Sequence, residues 1–157
     1  MKAFGITLII VLISGSIAGW TAPAGSDIAV VVSRDVPIDD LSFSELRKIL
    51  LGDRQYWSSN LRVTLLIRAP AAREREVILR NVLEMTEAQY RRYWIGKVFR
   101  AESSSAPKSI ATNEMAFSLL NSIPGSIAFV DASQVPKDLK VVRLGGLLPG
   151  DKGYPLN

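Results

Sequence analysis

The side chains with most to offer chemically are the arginines around position 70. An apolar run, VTLLIR, ends in Arg68; Pro70 and two alanines then turn the chain, and a helix begins near Ala72. A helix start presents unpaired backbone N–H groups and the positive end of the helix dipole, and a guanidinium beside it adds a planar, two-pronged donor. With Arg68 and Arg73 converging on that start, and Ala72 and Glu74 in the same turn, the chemistry on offer is the binding of a small anion. The competing reading is purely structural: Arg68 pairs with a surface carboxylate and Arg73 is solvated.

The rest of the inventory excludes more than it offers. The chain has no histidine and no cysteine, which removes imidazole bases, thiol nucleophiles, disulfides and the commonest zinc ligands. It therefore reads as a non-enzyme with no cofactor and no metal. Asp39 and Asp40 precede a helix and suit its positive end better than acid–base work. Glu74 and Glu76 alternate with Arg73 and Arg75, which predicts a salt-bridged, exposed helix face. Gly145-Gly146 follows a strand without the spacing of a phosphate-cradling loop, so it reads as a turn. Tyr90, Tyr93 and Trp94 lie among Arg91, Arg92, Lys97 and Arg100, a mixture that nucleic-acid surfaces use. Trp94 shares a helical stripe with Tyr90 and Val98, however, so the spacing assigns it to the core, and no nucleic-acid partner is expected.

The elements that must hold these groups are legible in turn. Ile28–Val32, Val63–Ile67, Ser126–Val130 and Leu139–Leu144 read as strands. Ser42 with Glu45, and Thr86 with Gln89, have the form of capping boxes at two helix starts. In the first of those helices Phe43, Leu46 and Leu50 share a face, and Gly52 stands where a left-handed cap is needed. The helix after Arg68 runs to Met85, with Val77, Ile78, Val82 and Met85 inward and Arg73, Arg75, Glu76 and Arg80 in water. A fourth helix covers Asn113 to Ser122, with Ala116, Leu119, Leu120 and Ile123 at helical spacing, and Pro124-Gly125 ends it. AESSSAP, from Ala101 to Pro107, is a short polar loop, and the tail GGLLPGDKGYPLN is loop-like. Strands alternating with helices make an α/β domain with a mixed sheet flanked by helices, in which Trp94, Leu46, Ile78 and Leu120 are buried.

The first 24 residues carry a different signal. Lys2, the apolar run Phe4 to Ile13 and the small residues after it have the form of a secretory signal, with cleavage after either Ser16-Ile17-Ala18 or Ala22-Pro23-Ala24. The mature N-terminus then falls between Gly19 and Gly25, and membrane contact arises only if the leader is retained uncleaved. What remains, residues 25–157, is enough for one domain with a core and too short for two. The formal net charge of +4 is a mild excess that favours anionic ligands weakly.

In order and spacing, IAVVVSRDVPIDDLSFSELRKILLGDRQYW, VTLLIR, REVIL, YRRYWIGKVF, APKSIATNEMAF, PGSIAFVDA and YPL resemble the phosphate-binding proteins of bacterial ABC transporters. The resemblance is greater to the short, single-lobe PstS-like members, and covers Ile28 to about Leu156. It implies a three-layer single lobe of the periplasmic-binding-protein-like fold, a periplasmic location, and phosphate or another small anion as ligand for an ABC transporter. The family places Ser-Gly-Thr after the arginine loop; the matching positions here are Ala72, Arg73 and Glu74, which removes two hydroxyl donors and adds a negative charge. Full-length members close two lobes on the ligand, and this chain matches the second. Two functions follow: a solute-binding lobe for a small anion, or a non-transport module that has lost the phosphate site and contacts an envelope protein or component.

Overall fold

The computed structural model describes residues 26–157; the leader and its two cleavage positions lie outside them. In chain order these residues form β1 (Ile28–Val32), β2 (Asp40–Leu41), α1 (Phe43–Leu50), β3 (Tyr56–Ser58), β4 (Leu61–Arg62) and β5 (Thr64–Arg68). There follow α2 (Arg73–Val77), which continues into a π-helical turn at Ile78–Leu83, α3 (Glu87–Phe99), β6 (Lys108–Ile110), α4 (Asn113–Ser122), β7 (Ser126–Asp131) and β8 (Lys140–Leu144).

The two capping boxes form as their residues require. Ser42 Oγ accepts the Glu45 N–H at 3.2 Å while Glu45 Oε2 accepts the Ser42 N–H at 2.9 Å. Thr86 Oγ1 accepts the Gln89 N–H at 3.2 Å, and Gln89 Oε1 accepts the Thr86 N–H at 2.8 Å. Each pair satisfies two donors that a helix start leaves open. Replacing Thr86 by Ala should therefore cost about 1 kcal/mol of stability, read as a lower urea midpoint with an unchanged slope. Gly52 has φ +69°, and a Cβ there would stand 2.5 Å from the Trp94 ring, so the end of α1 rests directly on α3 through that glycine.

The main sheet has the order β2-β8-β1-β7-β5-β6. β1 is antiparallel to both β7 and β8, whereas β7, β5 and β6 run parallel to one another. Alternation along the strands divides the core in two. Val30, Val32, Ile67 and Phe129 face α1, α2 with its π turn, and α3; Val31, Leu66, Ala128 and Val130 face α4. The result is the expected three layers, with Leu46, Ile78, Trp94 and Leu120 all buried. Among the described residues no helix is long and apolar enough to cross a membrane.

Several expectations are corrected. Phe43 and Val98 are exposed, not part of buried stripes. Phe43 opens α1 before the helix meets the core, and on α3 the inward side is Tyr90, Trp94 and Lys97. The helix after Arg68 is α-helical only to Val77, and the wider π turn then changes which side chains face in, ending at Glu84 with φ 54°. Asp39 and Asp40 do not serve α1: Asp39 pairs with Lys140 at 2.8 Å and Asp40 accepts the Gly146 N–H at 3.0 Å. The tail is loop-like as expected, and it is anchored: Tyr154 and Leu156 are buried and the Ile28 N–H donates to the Leu156 carbonyl at 2.7 Å.

Candidate functional site

Three parallel strands end side by side, and the segments leaving them meet. Arg68 closes β5, Thr112 and Asn113 follow β6, and Asp131 closes β7 with Ala132–Gln134 after it. The crevice beyond the carboxyl ends of parallel strands is where open α/β sheets gather polar groups. Arg68, the leading candidate from the sequence, lies at its centre.

The guanidinium of Arg68 has internal partners. Its Nη1 donates to Asn113 Oδ1 and lies 3.4 Å from Glu74 Oε1, with side-chain exposures of 13% for Arg68 and 10% for Glu74. Asn113 is oriented in turn by donating Nδ2–H to Gln134 Oε1 at 2.8 Å. The carboxylate of Glu74 thus stands beside Arg68 where an anion was expected. Among the described residues the buried Nε of Arg68 has no hydrogen-bond acceptor.

The other expected site residues take different parts. Ala72 is the residue at which α2 begins, in extended conformation and with no side-chain cap; with only five residues, α2 has little dipole to offer. Ala71 before it is left-handed at φ 67°, a conformation that tightens the turn between Arg68 and α2. Arg73 is close enough to Asp131, at the end of the neighbouring strand β7, for its charge to act on that carboxyl. Burial raises the Asp131 carboxyl, but hydrogen bonds from Ser133 and Ser26, and then the charge of Arg73, more than offset this and hold it below its ordinary value.

Arg75, expected in water, is buried and does more structural work than any of these. It grips Glu87 with two bonds of 2.7 Å, donates Nη1–H to the Arg68 carbonyl at 3.0 Å, and lies 5.4 Å from the centre of the Tyr90 ring. A two-pronged pair of this geometry fixes α2 against the start of α3 and holds the end of β5. The predicted salt-bridged surface on α2 is therefore an inward pair, Arg68 with Glu74, and an interhelical one, Arg75 with Glu87. Asn113 and Gln134 were missed by sequence reasoning; the available signal was their position just after strand ends, once β5, β6 and β7 are taken as parallel neighbours.

No protein-family model matches the sequence, and no curated protein matches it. Solved structures do. An ABC-type phosphate transport receptor from Vibrio cholerae aligns with a TM-score of 0.64 and 18% identity over 80% of this chain and 49% of that one. PstS from Borrelia burgdorferi aligns with a TM-score of 0.63 and 15% identity over 80% and 50%. A putative phosphate ABC transporter substrate-binding protein from Clostridium perfringens, solved with bound phosphate, gives 0.60 and 16% over 80% and 48%. The chain thus spans about half the length of these structures. What is shared at such identities is the fold: the chain folds like about half of these solved phosphate-binding proteins.

Proposed function

We propose that this chain is an envelope binding module, not a catalyst, in which Glu74 has taken the place of the anion beside Arg68. It then works by contacting a protein or envelope component instead of delivering phosphate to an ABC transporter. The observation that carries this reading is the buried Arg68–Glu74 pair at 3.4 Å. A carboxylate so placed neutralises the charge a phosphate would seek, and it repels a second anion by about 4 kcal/mol at a separation near 4 Å and an effective dielectric constant of about 20. The periplasmic location rests on the leader, Lys2 and the apolar run Phe4 to Ile13, with membrane contact only through an uncleaved leader.

One observation favours the other reading, a lobe that binds phosphate or another small anion for a transporter. Among the described residues the Nε of Arg68 is a buried donor without an acceptor, and a ligand oxygen would satisfy it. Calorimetric titration with inorganic phosphate separates the two. The wild-type protein should give no saturable heat at millimolar phosphate, while Glu74→Thr, which removes the repulsion and adds a hydroxyl, should bind. Adding Arg68→Ala to that variant should weaken binding on the order of tenfold or more, as loss of a charge-assisted pair does. Saturable binding by the wild type that depends on Arg68 would instead make the chain a solute-binding lobe.

A further inference from the structure

At the amino ends of the parallel strands β5 and β6, the far end of the sheet from Arg68, lies a hollow of about 250 Å³. Ile49, Leu65 and Trp94, all buried, supply its apolar part, and Arg54, Arg62 and Lys108 line it from three separate segments. The polar loop from Ser103 to Pro107 forms one wall, and it is tied down. Gln55 donates Nε2–H to the Glu102 carbonyl at 3.0 Å, Arg62 donates Nη2–H to Ser104 Oγ at 2.6 Å, and Ser103 Oγ donates to the Ser105 carbonyl at 2.9 Å. Among the described residues no carboxylate lines this hollow. Arg54 is neutralised by Glu45 at 3.0 Å, but Arg62 and Lys108 make no ion pair among the described residues.

We propose that this hollow is a binding site for a small organic carboxylate, separate from the Arg68 crevice. Two opposite requirements select that class. A neutral apolar occupant would take water from Arg62 and Lys108 and give no charge in return. A bare inorganic ion would leave Ile49, Leu65 and Trp94 in contact with water. A molecule with a carboxylate at one end and a hydrocarbon body at the other meets both needs. Arg62 is suited to the charged end, because a guanidinium carries five N–H donors in a planar fork that matches the two oxygens of a carboxylate. Its bond to Ser104 occupies one nitrogen and fixes the direction of the fork, and Lys108 adds a second positive charge. The volume lies below the range of about 300–1,000 Å³ that drug-sized ligands fill, which limits the hydrocarbon body to about one ring. This inference goes beyond the reading of Arg68 and does not depend on whether that residue takes an anion.

Titration of the isotope-labelled protein with sodium benzoate, followed by nuclear magnetic resonance, tests it. Saturable shifts should appear at the Trp94 indole and at the amides of Ser103, Ser104 and Lys108. Arg62→Gln should raise the dissociation constant on the order of tenfold, as loss of a charge-assisted pair does, and Lys108→Gln a few-fold. Both side chains are exposed, so the rest of each spectrum should stay that of the folded wild type. Benzamide, a ring of the same shape without the charge, should bind at least about tenfold more weakly, and phosphate at equal concentration should not displace benzoate. Shifts that do not saturate, an affinity that neither substitution changes, equal binding of benzamide, or displacement by phosphate overturns the proposal. Benzoate shifts centred on Asn113 and Gln134 would place the anion at the Arg68 crevice and overturn it as well. The phosphate titration of Glu74→Thr is read at those two residues, so the two readings fail separately.

Discussion

Replacing Arg68 by Ala should destabilise the protein by about 3–5 kcal/mol, because it leaves the Glu74 carboxylate buried without its partner. The two side chains lie 3.4 Å apart and are nearly enclosed, so water cannot readily take over from the guanidinium. Urea unfolding followed by Trp fluorescence reads this as a large drop in midpoint. The double variant Arg68→Met with Glu74→Leu removes both charges together and should recover most of the loss, since apolar replacements of a buried pair are often neutral or better. A single-variant effect below about 1 kcal/mol would fit an exposed pair and contradict the burial described above. The combination also separates folding from binding, because the Arg68→Ala variant tested for phosphate already carries Thr at position 74.

The second large effect belongs to Gly125. It has φ +69°, and a Cβ there would stand 2.0 Å from the backbone carbonyl oxygen of Arg62. The residue joins three parts of the fold: its carbonyl accepts from the Trp57 indole at 2.8 Å and from the Thr64 N–H at 3.0 Å, and its N–H donates to Asp35 at 3.2 Å. Gly125→Ala should cost about 3–4 kcal/mol, combining left-handed strain with displacement of the β3–β4 hairpin. Gly145→Ala is the control. That residue is also left-handed, at φ +60°, but nothing stands within 4 Å of its Cβ position, so only the strain of about 1–2 kcal/mol remains. Equal losses in the two variants would remove the steric part of the argument.

What was legible in the sequence was what neighbouring residues decide. Ser42 with Glu45 and Thr86 with Gln89 are three residues apart, and their reciprocal bonds need no information from the rest of the chain. The apolar runs of β1, β5, β7 and β8 were visible because buried strands are continuous in sequence. β2, β3, β4 and β6 were not, since each has only two or three residues and exists through its partner: Asp40–Leu41 is a strand because β8 lies beside it. Arg75 was misplaced for the same reason. Nothing near it in sequence shows that Glu87, twelve positions later, will fold over it. At the site, the sequence reading identified the negative charge of Glu74 as an obstacle to phosphate, and the structure puts that charge beside Arg68. Asn113 and Gln134 stayed hidden because they arrive there from two other strands.

The clasp that Tyr154 and Leu156 close on β1 has a kinetic meaning. Ile28 pairs with Asp131 and donates to the carbonyl of Leu156, while the Tyr154 hydroxyl donates to the Ile28 carbonyl at 2.8 Å. A ribosome releases Ile28 well before Asp131 and Leu156, so the central strand has no lasting partner on either side until those later residues have been made. Closing loops of such length before any pairing is rewarded makes for slow folding. During that interval the chain stays unlocked, and Tyr154 and Leu156 act as the latch that ends it.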